Sequence, residues 1–302
     1  MNNLLKDKII LPGWNIIKDN TSLKKYYLFP WLLSIIFLTF LLVYQSIYTY
    51  VEIIGKKEEA LVLILNFFHS DYVIEIAIAA AIFLIVYFFT LPIFEWWLIH
   101  YVDHKNQELE ITGSEAFWMW MYKFFPIFEY NNIFSQFKFI SILNAFLFVI
   151  RFIWVKYLDI LSIIFFILFL LSIIVNILFV YSKYFIVLEN EKVFAAVWKS
   201  SKLAILNFSS TAKLYLLVFI LNVRVIINFA IFLFFPILIS WAVIFFSSQL
   251  FLYITLWILS ILFIIAIYIL WYLTAVLEVF KTALWYFAYK EGKEKLKKIE
   301  DK

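Results

Sequence analysis

The chain has 302 residues, of which 66% are hydrophobic and 23% are aromatic, and its net charge is +4. Soluble domains contain about 45–50% apolar residues, so this composition excludes an ordinary soluble protein and indicates a helical membrane protein. Because the sequence contains no Cys, disulfides, thiolate metal sites and a cysteine nucleophile are excluded as well.

Six transmembrane helices are predicted from continuous apolar runs, since one crossing takes about 20 residues. The fold class is therefore all-α and polytopic, with a single six-helix domain over residues 1–288 and a charged cytoplasmic tail over 289–302. The crossings are expected at about 28–51, 72–100, 138–155, 158–188, 213–246 and 250–286. Residues 61–68 form an apolar stretch too short to span, which we expect to lie at the outer surface as an amphipathic helix.

Lys and Arg are concentrated in the N-terminal segment, in the loops after the second and fourth crossings, and in the tail. The positive-inside rule places these segments in the cytoplasm, so both termini of a multi-pass cell-membrane protein are expected inside. A cleavable signal peptide is not expected, because Lys interrupts the first 27 residues and the first apolar run can remain as an anchor. Abundant Phe, Ile, Lys and Asn with scarce Gly suggest an AT-rich bacterial genome.

A shared pattern links the three inner segments, each of which carries Trp, then Asn or Ser, then Lys at the membrane entrance. The three sets are Trp14, Asn20 and Lys24; Trp120, Asn132, Ser135 and Lys138; and Trp198, Asn207, Ser210 and Lys213. Three repeats of an interfacial helix followed by a transmembrane hairpin would explain the pattern, because Trp and Lys suit the headgroup layer. The alternative is that any cytoplasmic loop accumulates Trp and Lys.

The clearest local signature is an interfacial motif after the fourth crossing, with members Glu189, Ala196, Trp198, Ser200, Leu203 and Asn207. The spacing of its Glu, Ala, Ser and Leu resembles the membrane domain attached to bacterial glycerophosphodiester phosphodiesterases and related uncharacterised six-helix membrane families, with Asn190 where Gly is usual. The resemblance implies a fold and a membrane role, and not the hydrolase activity, because the catalytic barrel is absent from this sequence. Small side chains allow close helix packing, so we expect Ala196 and Ser200 to lie against another helix.

Polar residues within the apolar runs are the next candidates for function, namely Glu75, Asn144, Arg151, Asn176, Asn222, Arg224 and Asn228. Arg224 lies about 16 Å along its helix beyond Lys213, too deep for an easy reach to the surface, so it needs polar partners. One interpretation is a polar cavity for an anionic or polar substrate. The preferred interpretation is internal bracing, because mid-membrane Asn and Arg also hold helices together.

Little in the sequence supports a catalytic site or a metal site. His100, Asp103 and His104 would place two imidazoles on one helical face, as in some zinc sites, but they lie where polar residues are expected and no further ligand is evident. The sequence therefore predicts no metal, no cofactor and no catalytic residues, and no nucleic acid partner.

Two functions follow from these observations. The first is a non-enzymatic membrane protein with a scaffolding, assembly or accessory role, whose partners are the bilayer, its anionic headgroups and another membrane protein. The alternative is a transporter or lipid-handling protein with a polar cavity near Arg224 and Asn176. A water-accessible cavity at that depth would favour the alternative, and tight packing there would favour scaffolding.

Overall fold

The computed structural model describes residues 5–19, 28–34, 36–37, 40, 57–107, 124–153, 157–233 and 249–300. Within these ranges all regular structure is helical. The helices are α1 (Leu11–Asp19, after a π-helical turn at Lys6–Ile10), α2 (Lys57–Phe68), α3 (Val73–Asn106), α4 (Phe125–Phe134), α5 (Phe139–Ile153), α6 (Leu158–Leu178), α7 (Ser182–Glu189), α8 (Val193–Leu206), α9 (Phe208–Leu233) and α10 (Gln249–Glu300). Asn20, Lys24 and Trp120 lie outside the described residues, as do parts of the expected first, third and fifth crossings.

The length and apolar character of the helices fit a membrane. Two described helices are long and apolar enough to cross one, Val73–Asn106 and Leu158–Glu189. Two bent pairs would bring the number to four if each makes one crossing: Phe125–Phe137 with Ser141–Val149, bent by 50°, and Val193–Leu206 with Phe208–Val223, bent by 100°. The predicted all-α fold is thus confirmed for the described residues, while six crossings and the repeat stay predictions.

Few side chains in the two candidate spanning helices are buried. In the most apolar part of Val73–Asn106 only 11% of the residues are buried, and in Leu158–Glu189 only 6% are. Exposed apolar surface of this extent is unusual in water and is what lipid solvates. The apolar helices therefore indicate a membrane-embedded protein.

The buried core lies toward the Lys-bearing ends of the long helices. It joins α1, the last third of α3, α4, α7, α8 and the second half of α10. Its largest fully buried side chains include Ile17, Trp96, Ile127, Tyr181, Leu203 and Tyr286. Helix packing is thus concentrated at one end of the bundle, where the short helices surround the long ones.

Helix α10 is continuous over 52 residues and runs beyond the expected sixth crossing. The segment expected as a charged tail continues this helix, and Tyr289 and Gly292 within it are buried. Gly292 lies so close to α8 that an added Cβ would stand 3.1 Å from Leu203 Cδ1. At the surface, Lys8 Nζ lies 3.0 Å from Glu291 Oε2, which ties the N-terminal turn to α10.

Candidate functional site

A charged cavity of about 360 Å³ lies beside the core, at the Lys-bearing ends of α3, α6, α7 and α10. Three Lys, two Glu and polar groups line it with the apolar surface of neighbouring helices. The lining residues used below are Glu95, Lys138, Asn176, Lys183, Glu278 and Lys281. A charged cavity among apolar helices is costly to form, so it is the first place to look for function.

One ion pair in the cavity, together with a hydrogen bond to its carboxylate, joins three separate elements. Lys183 Nζ on α7 donates to Glu95 Oε2 on α3 at 2.6 Å, and both side chains are about one-quarter exposed. Asn131 Nδ2 on α4 donates to the same carboxylate oxygen at 2.9 Å. Glu95 therefore holds α4 and α7 against α3 through charge-assisted hydrogen bonds, which are stronger than neutral ones.

A second polar cluster lies between α9 and α10. Lys281 Nζ donates to Glu278 Oε1 at 2.5 Å and to Asn222 Oδ1 at 2.9 Å. Asn222 was predicted as an intramembrane polar residue, and its partner is this lysine. The side chains of Arg224 and Asn228 lie outside the described part of the chain.

Lys138 differs from the other two cavity lysines. Both Lys183 and Lys281 contact a carboxylate, whereas no carboxylate of the described residues lies within ion-pair distance of Lys138. The lining thus carries three positive and two negative side chains, and its excess charge resides on Lys138. An anion is the ligand that this balance favours.

Asn176 lies where this cavity meets a smaller one of about 210 Å³, and both are lined by Lys138, Asn176, Val180 and Lys183. Asn176 Nδ2 donates to the carbonyl of Phe137 at 2.8 Å, and Ser172 Oγ donates to the same carbonyl at 2.5 Å. These bonds satisfy a backbone group exposed by the break between α4 and α5. Asn176 therefore both connects α6 to the segment before α5 and lines the cavity.

The remaining predicted polar residues do not join this site. Glu75 and Asn144 are exposed on α3 and α5. The side chain of Arg151 lies outside the described part of the chain.

Within the described part of the chain, the histidines belong to no group of side chains that could hold a metal ion. The rings of His100 and His104 stack with centroids 5.9 Å apart. Asp103 between them accepts from Tyr286 at 2.5 Å and from Gln107 at 2.8 Å. Among the described residues no group of three His, Cys, Asp or Glu side chains is placed to hold an ion.

The interfacial motif joins α8 to its neighbours. Glu189 accepts a hydrogen bond from Tyr289 and lies 2.6 Å from Lys293 Nζ, so it connects α7 to α10. Ala196 and Ser200 are fully buried, as close packing requires. Trp198 points the other way and is 76% exposed, which suits a residue in the headgroup layer.

Ser200 closes the break between α6 and α7. Its Oγ donates to the carbonyl of Leu178 at 2.7 Å and accepts from the N–H of Tyr181 at 3.1 Å. At the other end of α7, Asn190 takes the left-handed conformation with φ 54°. Asn tolerates this conformation better than most residues other than Gly.

Comparison with known proteins adds no further assignment: no protein family, curated protein or solved structure matches the chain.

Sequence reasoning missed the charges that line the cavity. Glu95 and Glu278 lie near the inner ends of their helices, where solvated headgroup residues are expected, so the sequence alone does not distinguish them. Lys183 and Lys281 contribute to the basic segments that predict orientation, and they carry no sequence signal of a carboxylate partner. A charged residue recurs one or two turns inside the apolar end of several helices. This recurrence is the sequence signal that could have located the cavity.

Proposed function

We propose that the protein is a non-enzymatic, lipid-handling membrane protein that binds the anionic headgroup of an amphiphile in the lysine-lined cavity. The observation that carries this proposal is the cavity of about 360 Å³ with three Lys and two Glu at the ends of apolar helices. An anionic lipid has a charged head and apolar tails, so it matches a charged cavity bordered by lipid-exposed helices.

The net positive charge of the cavity lining indicates that the ligand is an anion. Lys183 and Lys281 are held by Glu95 and Glu278, and Lys138 has no such partner among the described residues. The side chain of Lys138 is exposed, so its ammonium group is accessible to a counter-ion carried by a lipid. A phosphate or carboxylate headgroup would supply that counter-ion, with Asn176 as a neighbouring polar group.

We place this cavity in the inner leaflet of the cell membrane. The concentration of Lys in four segments supports six crossings with both termini in the cytoplasm. Labelling of single introduced Cys residues from outside intact cells tests this topology. Modification of a Cys placed in residues 289–300 would contradict it.

The resemblance to the phosphodiesterase-associated membrane domain remains part of this proposal. Two local features support it. Asn190 has a left-handed backbone at the position where Gly is usual, and the small residues Ala196 and Ser200 are buried between helices.

The proposal is tested by lipid binding to the delipidated protein in detergent, followed by native mass spectrometry. Phosphatidylglycerol should bind in preference to zwitterionic phosphatidylcholine. Lys138→Gln should weaken phosphatidylglycerol binding about tenfold or more, because a charged hydrogen bond contributes about 1.5–3 kcal/mol. Lys105→Gln is the matched control, since Lys105 is exposed at the end of α3 and does not line the cavity.

Equal binding of the two lipids, or unchanged binding by Lys138→Gln, would contradict the proposal. A scaffolding role needs no lipid ligand. It is therefore the role to adopt if the purified protein shows no preference for anionic lipid.

A further inference from the structure

We infer that the chain contains a second site for an anionic lipid headgroup, in a separate cavity at the break between α8 and α9. The inference rests on the proposed function, because it extends the same ligand chemistry to a second place. Four observations carry it: a repeated sequence pattern, a repeated bend, a cavity, and a lysine with no carboxylate partner among the described residues.

The sequence pattern is Asn, then Ser three residues later, then Lys three residues after that. It occurs as Asn132, Ser135 and Lys138, and again as Asn207, Ser210 and Lys213. In each case it lies where a short helix ends and an apolar helix begins. The chain bends by 50° at the first position and by 100° at the second.

Both copies of the pattern contribute residues to a cavity. In the first copy Ser135 and Lys138 line the cavity that adjoins the first site, and Asn132 is exposed outside it. Asn207, Ser210 and Lys213 line another cavity of about 170 Å³, which is closed on its other sides by α10, Tyr181 and the N-terminal turn. The second cavity has less than half the volume of the main one, so it suits a small headgroup such as a phosphate monoester or diester.

The second cavity repeats the charge balance of the first. Lys213, Lys295 and Glu291 are its charged lining residues. Lys295 Nζ lies 3.5 Å from Glu291, which also contacts Lys8, whereas no carboxylate of the described residues lies within ion-pair distance of Lys213. Lys213 thus corresponds to Lys138 in both sequence position and charge.

Gly292 keeps one wall of this cavity open. An added Cβ would stand 3.1 Å from Asn207 Nδ2, so a larger residue would press on the amide that faces the cavity. Asn207 Nδ2 donates one hydrogen bond to the carbonyl of Leu203 at 3.3 Å, and its second N–H is a neutral donor in the cavity that Lys213 also lines. A cation and an amide donor together suit a phosphate oxygen.

The stoichiometry of tightly bound anionic lipid tests the inference. Delipidated protein is titrated with phosphatidylglycerol and analysed by native mass spectrometry. The unaltered chain should retain two lipids, Lys138→Gln and Lys213→Gln should each retain one, and the double variant should retain none. Lys213→Arg keeps the charge and should restore the second lipid. Lys192→Gln, an exposed lysine before α8, serves as the control.

The outcomes separate this inference from the proposed function. A single lipid that is lost in Lys138→Gln and retained in Lys213→Gln overturns the second site and leaves the proposed function standing. No retained lipid in the unaltered chain overturns both. Binding of inorganic phosphate at Lys213 without retention of phosphatidylglycerol overturns the assignment of a lipid and assigns a free anion.

Discussion

Replacement of Ser200 by Ala should destabilise the protein, because Ser200 holds the break between α6 and α7. The substitution removes one donor and one acceptor from a position that is fully buried. The N–H of Tyr181 and the carbonyl of Leu178 would then lose their bonds to Oγ, which measure 3.1 Å and 2.7 Å.

The expected loss follows from the cost of unpaired backbone groups. A buried donor or acceptor left without a partner costs about 1–3 kcal/mol. Leu178 is only half-buried, so its carbonyl falls at the lower end of that range. Ala favours helix over Ser by about 0.5 kcal/mol, which offsets part of the loss. The free energy of unfolding should therefore fall by about 2 kcal/mol.

The neighbouring residue provides a matched control. Ser201 Oγ donates to the carbonyl of Val197 one turn earlier at 2.9 Å, a bond within the same helix. Ser201→Ala should change the free energy of unfolding by about 0.5 kcal/mol or less. Both variants can be unfolded in mixed dodecyl maltoside and SDS micelles and followed by Trp fluorescence. Equal losses for the two variants would refute the assignment of Ser200 as the residue that closes the break.

Three further outcomes are expected. Ala196→Phe should lower the free energy of unfolding by about 1–3 kcal/mol, because Ala196 has no exposed surface and overpacking forces its neighbours apart. Trp198→Phe, at an exposed position, should change the free energy of unfolding little in the same assay. Burial acts to raise the pKa of Glu291, but the hydrogen bonds and charge of Lys8 and the charge of Lys295 lower it below its ordinary value. This interaction should stabilise the fold fully above the ordinary carboxyl pKa and lose its effect as the pH falls through the lowered pKa. Thermal unfolding of the unaltered chain and of Glu291→Gln across acidic pH should converge at the low end, and a constant difference would contradict the pairing.

The long helices could be predicted from the sequence because a helix exposed to lipid needs a continuous run of apolar residues. Continuous apolar runs predicted the first residues of α3, α6 and α10 to within one position. The run expected to end at 188 covers both α6 and α7, which together end at Glu189. The buried core at the Lys-bearing end could not be located in the same way. Its contacts join residues far apart in the chain, such as Glu95 and Lys183, which are separated by 88 positions.

The candidate site was predicted only in part. Asn176 and Asn222 were identified as polar residues at depth, and both contact polar partners near the cavity. Their partners were not identified, since a Lys near a helix end is equally suited to water, lipid or a carboxylate. Hydropathy gives the depth of such a residue and does not give the direction in which its side chain points.

The concentration of packing at one end has a consequence for how the protein responds to bilayer thickness. The described apolar stretches of α3 and α6 make few burying contacts along their lengths, so they can tilt to accommodate hydrophobic mismatch without disturbing the core. Headgroup affinity should accordingly stay constant across lipids that differ only in acyl-chain length, while the tilt of α3 changes with each of them.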